Sequence, residues 1–120
     1  AVQLSNPHCV VFIRDVDRFP VEKYGPLIER HRLFPNRTNV EFVQILSRNR
    51  IKMRVWERGV GETLACGTGA CAAVVAGVAR RKLANSAQVI LKGGNLDITY
   101  TPGKGIYLSG PAQTTFTGEY

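Results

Sequence analysis

The chain has 120 residues, 44% of them hydrophobic, and carries 16 Lys and Arg against 9 Asp and Glu for a formal net charge of +7. That length suits one domain with its own apolar core. No run approaches the roughly 18 apolar residues of a membrane span, and the opening AVQLSNPHC lacks the basic-then-apolar pattern of an export signal.

Cys9, Cys66 and Cys71 include no CxxC pair, so neither a disulfide framework nor a metal site is indicated. A soluble, cytoplasmic chain with reduced thiols is expected. The basic residues are scattered, and the one run, Arg80-Arg81-Lys82, falls where a helix C-terminus favours cations. Neither nucleic acid nor a membrane is therefore an expected partner, because charge excess alone reports solubility and steering. The first residue is alanine, which fits either processing or a piece of something longer.

In chain order, CVVFIR at 9–14 is a short β-branched run that reads as a buried strand, with NPH as a loop at its mouth. Over 20–31, Tyr24, Leu27 and Ile28 recur at helical spacing, and Gly25-Pro26 is expected to break or restart that helix. LFPNRTN is loop chemistry. VEFVQILS and IKMRVWE follow as strands, the second alternating Ile51, Met53 and Val55 with Lys52, Arg54 and Trp56. SRNR between them predicts an antiparallel hairpin.

From Thr68 to Leu83 the residues are small and apolar on nearly every side, so this helix should be enclosed by other structure. AQVILK, NLDITYT and IYLSG come next, separated by the turn sequences KGGN and PGKG, and read as a strand meander. The expected class is α+β, a mainly antiparallel or mixed sheet around one central helix.

The segment ERGVGETLACGTGACAAVVAG carries the chemistry. Gly67-Thr68-Gly69-Ala70-Cys71-Ala72 matches the dinucleotide fingerprint G-x-G-x-x-A, but no buried strand precedes the first glycine. The nearest acid beyond the helix, Asp97, lies about 30 residues on rather than about 20. What remains is a glycine-rich helix N-terminus, whose free N–H groups and partial positive charge suit a small anion and lower the pKa of a thiol such as Cys66. Packing alone would also explain a Cys-Gly turn, and that reading suits Cys71, which lies inside the helix.

Glu57 and Arg58, returned toward the turn by GVGET, offer a carboxylate for an ammonium and a guanidinium for a carboxylate, the minimum for holding an amino acid. Asn6, His8 and Asn39 stand at strand ends beside apolar runs. Singly each reads as a turn former or surface residue; with Glu57, Arg58 and Cys66 they suggest a polar site at one edge of the sheet. His31, in a charged helix end, is given no role.

SNPHCVVF, HRLFPNRTNVEFVQ, MRVWERGVGETLACGTGACAAVVA and LSGPA together resemble the C-terminal half of the diaminopimelate epimerases, over nearly the whole chain. The resemblance implies a single domain over 1–120, one half of a two-domain fold in which strands wrap a central helix in each half and the substrate lies between the halves. It implies interconversion of LL- and meso-diaminopimelate in lysine biosynthesis by two cysteines on opposite faces of the α-carbon, without pyridoxal phosphate, other cofactor or metal. Cys66 matches one cysteine.

By the same resemblance, Gly67 and Thr68 offer N–H groups to the α-carboxylate, Glu57 and Arg58 contact substrate ammonium and carboxylate groups, and Asn6 and Asn39 hold the distal end. His8 and Glu57 tune the thiols. The other cysteine belongs to the N-terminal half, which has no counterpart in these residues, so the chain alone is expected to be inactive and to pair with that half or with a second copy of itself. A stand-alone small-anion or amino-acid binding module is the alternative reading, and a racemase of the same fold acting on another amino acid is a third.

Overall fold

A computed structural model describes residues 2–3, 7–64, 67–109 and 115–118. The elements run β1 (Val2–Gln3), β2 (Pro7–Phe12), α1 (Val21–Glu29), β3 (Asn39–Ser47), β4 (Arg50–Glu57), β5 (Gly61–Thr63), α2 (Gly67–Ala79), β6 (Ser86–Leu91), β7 (Gly94–Thr101), β8 (Gly105–Ser109) and β9 (Thr115–Gly118). Among the described residues the strands form one sheet in the order β1-β2-β3-β4-β6-β7-β8-β9, with β5 also paired to β4. Pairing is antiparallel except between β2 and β3 and between β4 and β6, which are parallel. The expected α+β class with a mixed, mainly antiparallel sheet is what the chain adopts.

Side chains alternate across a strand, so one residue decides a whole face. On β4, Ile51, Met53 and Val55 are at most 1% exposed and join Ala70, Cys71, Ala73 and Val74 of α2 in the main core. The helix touches β1, β2 and β3 on one side and β7 and β8 on the other, so the sheet curls around it. A helix apolar on all sides has to be enclosed in this way to be stable in water. Its end at Ala79 leaves Arg80 and Lys82 over the ring of Phe12, where both cations stand beyond the helix's negative end. Among the described residues no helix is long and apolar enough to cross a membrane.

Val40 and Phe42 point the other way and form a second core with Val16 and Val21, against which Ile28 and Trp56 pack. Here the structure corrects the expectation that Gly25-Pro26 would break α1, which runs unbroken from Val21 to Glu29. Val21, Gly25 and Glu29 make its buried stripe, and a Cβ on Gly25 would stand 2.5 Å from Cδ2 of Trp56. Gly25 therefore lets the helix lie directly on the indole. Pro26 forfeits one internal hydrogen bond, and the packing of that stripe outweighs a penalty of about 3 kcal/mol. Of the residues at helical spacing, Ile28 is packed inward, whereas Tyr24 and Leu27 are exposed.

A second correction concerns NPH. Pro7 and His8 lie within β2 rather than in a loop before it, because β2 pairs with β3 from His8↔Asn39 through Phe12↔Val43. The strand itself is half-buried along most of its length rather than fully buried.

Candidate functional site

The inward face of β3 carries Asn39, Glu41 and Val43, and register brings His8 beside Asn39 and Val55 beside Glu41. Two residues on from Val55 along the same face is Glu57, half-buried at the end of β4. His8, Asn39, Glu41 and Glu57 thus share one end of the α2-facing surface. The N-terminal end of α2 falls there too. Just past its C-terminal end, Arg80 stands over Phe12 at the far end of β2, while the helix also touches β1, which among the described residues pairs with Pro7 and His8. Gly67 opens the helix, exposed, and Thr68 is half-buried behind it.

His8 and Glu41 are both 0% exposed, and Nδ1 of the imidazole lies 3.0 Å from Oε2 of the carboxyl group. Burial pushes the Glu41 carboxyl above its ordinary value, the nearby charge of Glu57 adds to that, and the hydrogen bond and charge of His8 oppose it. His8 Nε2 and Glu41 Oε1 are buried and have no hydrogen-bond partner among the described residues. A native interior seldom leaves two such atoms on one hydrogen-bonded pair.

Asn39 is 6% exposed, and its Oδ1 accepts the backbone N–H of Arg58 at 2.6 Å. That bond ties the start of β3 to the turn after β4, so the side chain is a strut as well as a candidate ligand. The Arg58 guanidinium donates through Nη1 to the carbonyl of Asn36 at 3.2 Å, which uses one of its five N–H groups. The turn itself is closed by Gly59 at φ +76°, a conformation that favours glycine, with Gly61 pairing back to Glu57. GVGET does return the chain, as a short hairpin arm held by the Arg54–Glu62 ion pair at 2.7 Å.

The structure therefore brings His8, Asn39, Glu57 and the backbone of Arg58 together, with Gly67 and Thr68 at the same end. Cys66 and Asn6 lie outside the described residues. His8 and Asn39 are not the turn or surface residues that each would be when read singly, since both are buried within the strand ladder. Cys9 sits on the opposite face of β2 from His8, half-buried, with its thiol pushed up by burial and by the charge of Glu41. Cys71 is 1% exposed inside α2, as packing predicts. His31 accepts the N–H of Leu33 on its Nδ1, an exposed local contact.

Sequence reasoning missed Glu41 and Glu29. The signal for Glu41 was present: in NVEFVQILS an acid occupies the phase of Val43 and Ile45, the inward phase. A shallow depression lined by Asn49, Arg50, Gln88 and Asp97 opens beside the β3–β4 turn, at the other end of β3, and includes none of the predicted residues.

A family model described as diaminopimelate epimerase matches residues 1–115. A relative from Pelotomaculum thermopropionicum, named diaminopimelate epimerase, is 58% identical over 120 residues, covering 100% of this chain and 43% of its own length. One of the same name from Methanococcus maripaludis is 54% identical over 119 residues, covering 98% of this chain and 43% of its own length. Among solved structures, a PhzF-family phenazine biosynthesis protein from Bacillus anthracis aligns with a TM-score of 0.59 at 21% identity, over 84% of this chain and 33% of its own.

A putative phenazine biosynthesis protein of the PhzC/PhzF type from Clostridium difficile aligns with a TM-score of 0.63, also at 21% identity, over 86% of this chain and 37% of its own. At that identity the likeness is one of fold. The chain spans about 43% of the length of these curated relatives. With a family match over nearly all of its residues and relatives above half identity across its whole length, the chain belongs to the diaminopimelate epimerase family.

Proposed function

We propose that the chain is the C-terminal catalytic half, one domain over 1–120, of an isomerase that interconverts LL- and meso-diaminopimelate in the cytoplasm by proton transfer between two cysteines. The observation that carries this reading is the convergence of His8, Asn39 and Glu57 on the end of the sheet where α2 begins, in a chain of this family. Cys66 precedes Gly67 and supplies one thiol; the N-terminal half supplies the other.

A thiolate takes the α-proton and becomes a thiol, the electron pair left on the α-carbon spreads into the α-carboxylate, and the opposite thiol returns a proton from the other face. No cofactor or metal enters these steps. Removing such a weakly acidic proton is unfavourable by many pK units, so it needs the developing charge to be met by fixed donors in a closed, dry cleft. Gly67 and Thr68, at the positive end of α2, meet the carboxylate. Glu57 receives an ammonium and Arg58 a carboxylate through the guanidinium N–H groups that Asn36 does not use. Asn39, whose Oδ1 is engaged by Arg58 N–H, meets the distal end of the substrate through its amide N–H groups, beside Asn6.

Supplying the N-terminal half, for example from the Pelotomaculum thermopropionicum relative, tests the reading. The 120-residue chain alone should show no exchange of the diaminopimelate α-hydrogen with solvent deuterium, the rejoined protein should show it, and Cys66→Ala should abolish it. Inversion by the chain alone would overturn the half-site reading. Light scattering should show the isolated chain pairing with that half or with itself, through apolar surface the absent half would cover. Alkylation near neutral pH should fall first on Cys66, since Cys71 is buried and the Cys9 thiol is pushed up.

A further inference from the structure

We propose that Glu41 is a positioning residue that holds His8 as its Nδ1–H tautomer and so presents Nε2 as a proton acceptor at the site end of the sheet. This rests on the preceding reading for its consequence, though not for its geometry. The ring and the carboxyl group are both wholly buried and 3.0 Å apart through Nδ1 and Oε2. The hydrogen bond that one ring nitrogen makes decides which nitrogen carries the proton, and a carboxylate oxygen can only accept. Nε2 is then turned away from Glu41 with its lone pair free, and it has no partner among the described residues.

The same face carries Asn39 and Glu57, and the register that aligns His8 with Asn39 sets the imidazole at the end where α2 begins. The titratable groups coupled to Glu41 besides His8 are Glu57 from β4 and the Cys9 thiol of β2, with Val10 and Val55 alongside Glu41 in the ladder. An acceptor on that face can take up a proton released by a thiol, which carries the buried pair of neutral ring and carboxylate from a net charge of −1 to 0, and can give it back. An Nε2–H could not.

The two histidines make the test internal. Two-bond 1H–15N correlation spectra of the 15N-histidine-labelled chain near neutral pH should show opposite tautomers: Nδ1–H for His8, and Nε2–H for His31, whose Nδ1 accepts from Leu33. His31→Gln assigns the signals. A proton on Nε2 of His8, in the neutral ring or in an imidazolium, overturns the proposal from the wild-type spectrum alone. Glu41→Leu, which removes the acceptor, should populate the Nε2–H form, and an unchanged tautomer in that variant would equally overturn it.

In the rejoined protein, Glu41→Gln should lower kcat for α-hydrogen exchange, by at most the roughly 100- to 10,000-fold that a positioned proton-transfer group contributes, with KM little changed. Unaltered kcat in that variant would remove the catalytic consequence. A rejoined wild-type protein that does not act on diaminopimelate, with the His8 tautomer as expected, would instead sink the functional reading and leave Glu41's hold on the ring standing.

Discussion

Two buried glutamates lie on opposite faces of the sheet, and their surroundings differ in kind. Glu29, on the α1 side, has both oxygens engaged: Oε1 accepts Trp56 Nε1–H at 2.8 Å, and Oε2 accepts the N–H of Gly59 at 3.0 Å with Arg37 at 3.8 Å. Burial pushes its carboxyl up, but those donors and the charge of Arg37 outweigh it and hold it below its ordinary value. Glu41, on the α2 side, has one partner and, among the described residues, one unpartnered oxygen, and burial wins. An acid satisfied on every side joins α1 to the β4–β5 turn. An acid satisfied on one side leaves polar atoms open at the site end of the sheet, and groups left in that state tend to mark sites of chemistry.

The same isosteric change at both positions should break the symmetry most sharply. Glu29→Gln replaces an acceptor oxygen with an amide donor facing either Trp56 N–H or Gly59 N–H, so urea unfolding should show a loss of roughly 1.5 to 3 kcal/mol. Glu41→Gln loses a charged hydrogen bond but also relieves the burial of a carboxylate, so its stability near neutral pH should stay within about 1 kcal/mol of the parent. Equal losses at the two positions would mean that the two acids do the same job.

Gly25→Ala sharpens the contrast from the α1 side. The added methyl would meet the Trp56 ring at 2.5 Å and push α1 off the indole that also donates to Glu29. A loss of roughly 1 to 3 kcal/mol is expected by thermal or urea unfolding. The His8 tautomer should not move, because the β2–β3 ladder is untouched on the other face.

How much of this was legible depended on whether the information was local. The enclosed helix α2, the β3–β4 hairpin and the β6–β7–β8 meander were visible because period, composition and turn residues agree within each segment. The continuity of α1 through Gly25-Pro26 was not, because it is decided by Trp56, which contacts the helix from 31 residues further along the chain than Gly25. His8 and Asn39 were legible as polar residues near strand ends but not as buried ones. Their burial follows from the parallel β2–β3 pairing, which no local pattern announces. Glu41 is the harder lesson: its phase in the strand was readable, but its partner lies on another strand.

A smaller loss is expected at Arg54. Its guanidinium makes two bonds to Glu62, at 2.7 and 2.8 Å, and donates to the carbonyls of Val16 and Phe19. Arg54→Lys keeps the charge but not the fork, so unfolding should cost about 1 kcal/mol less, with the β5 arm loosened. Faster amide exchange in β5 without change around His8 would locate the effect on the hairpin arm.

The smallest expected effect is a difference in slope with pH, and its sign separates the two acids. Glu41 is raised in the folded state, so the native chain holds more protons than the unfolded one between the ordinary carboxylate value and the raised one. Stability should therefore fall as pH rises through that window, and Glu41→Gln should lack the fall. Glu29 and Glu62 are lowered, so their contribution is present above the ordinary value and is lost as pH falls through the lowered ones. Glu29→Gln should lose part of that acid-side slope while keeping the fall that Glu41 imposes above it. Urea midpoints for parent, Glu29→Gln and Glu41→Gln across the acid range measure both slopes on one axis. If Glu41→Gln shows the same fall as the parent, the raised carboxyl group of Glu41 is not its source.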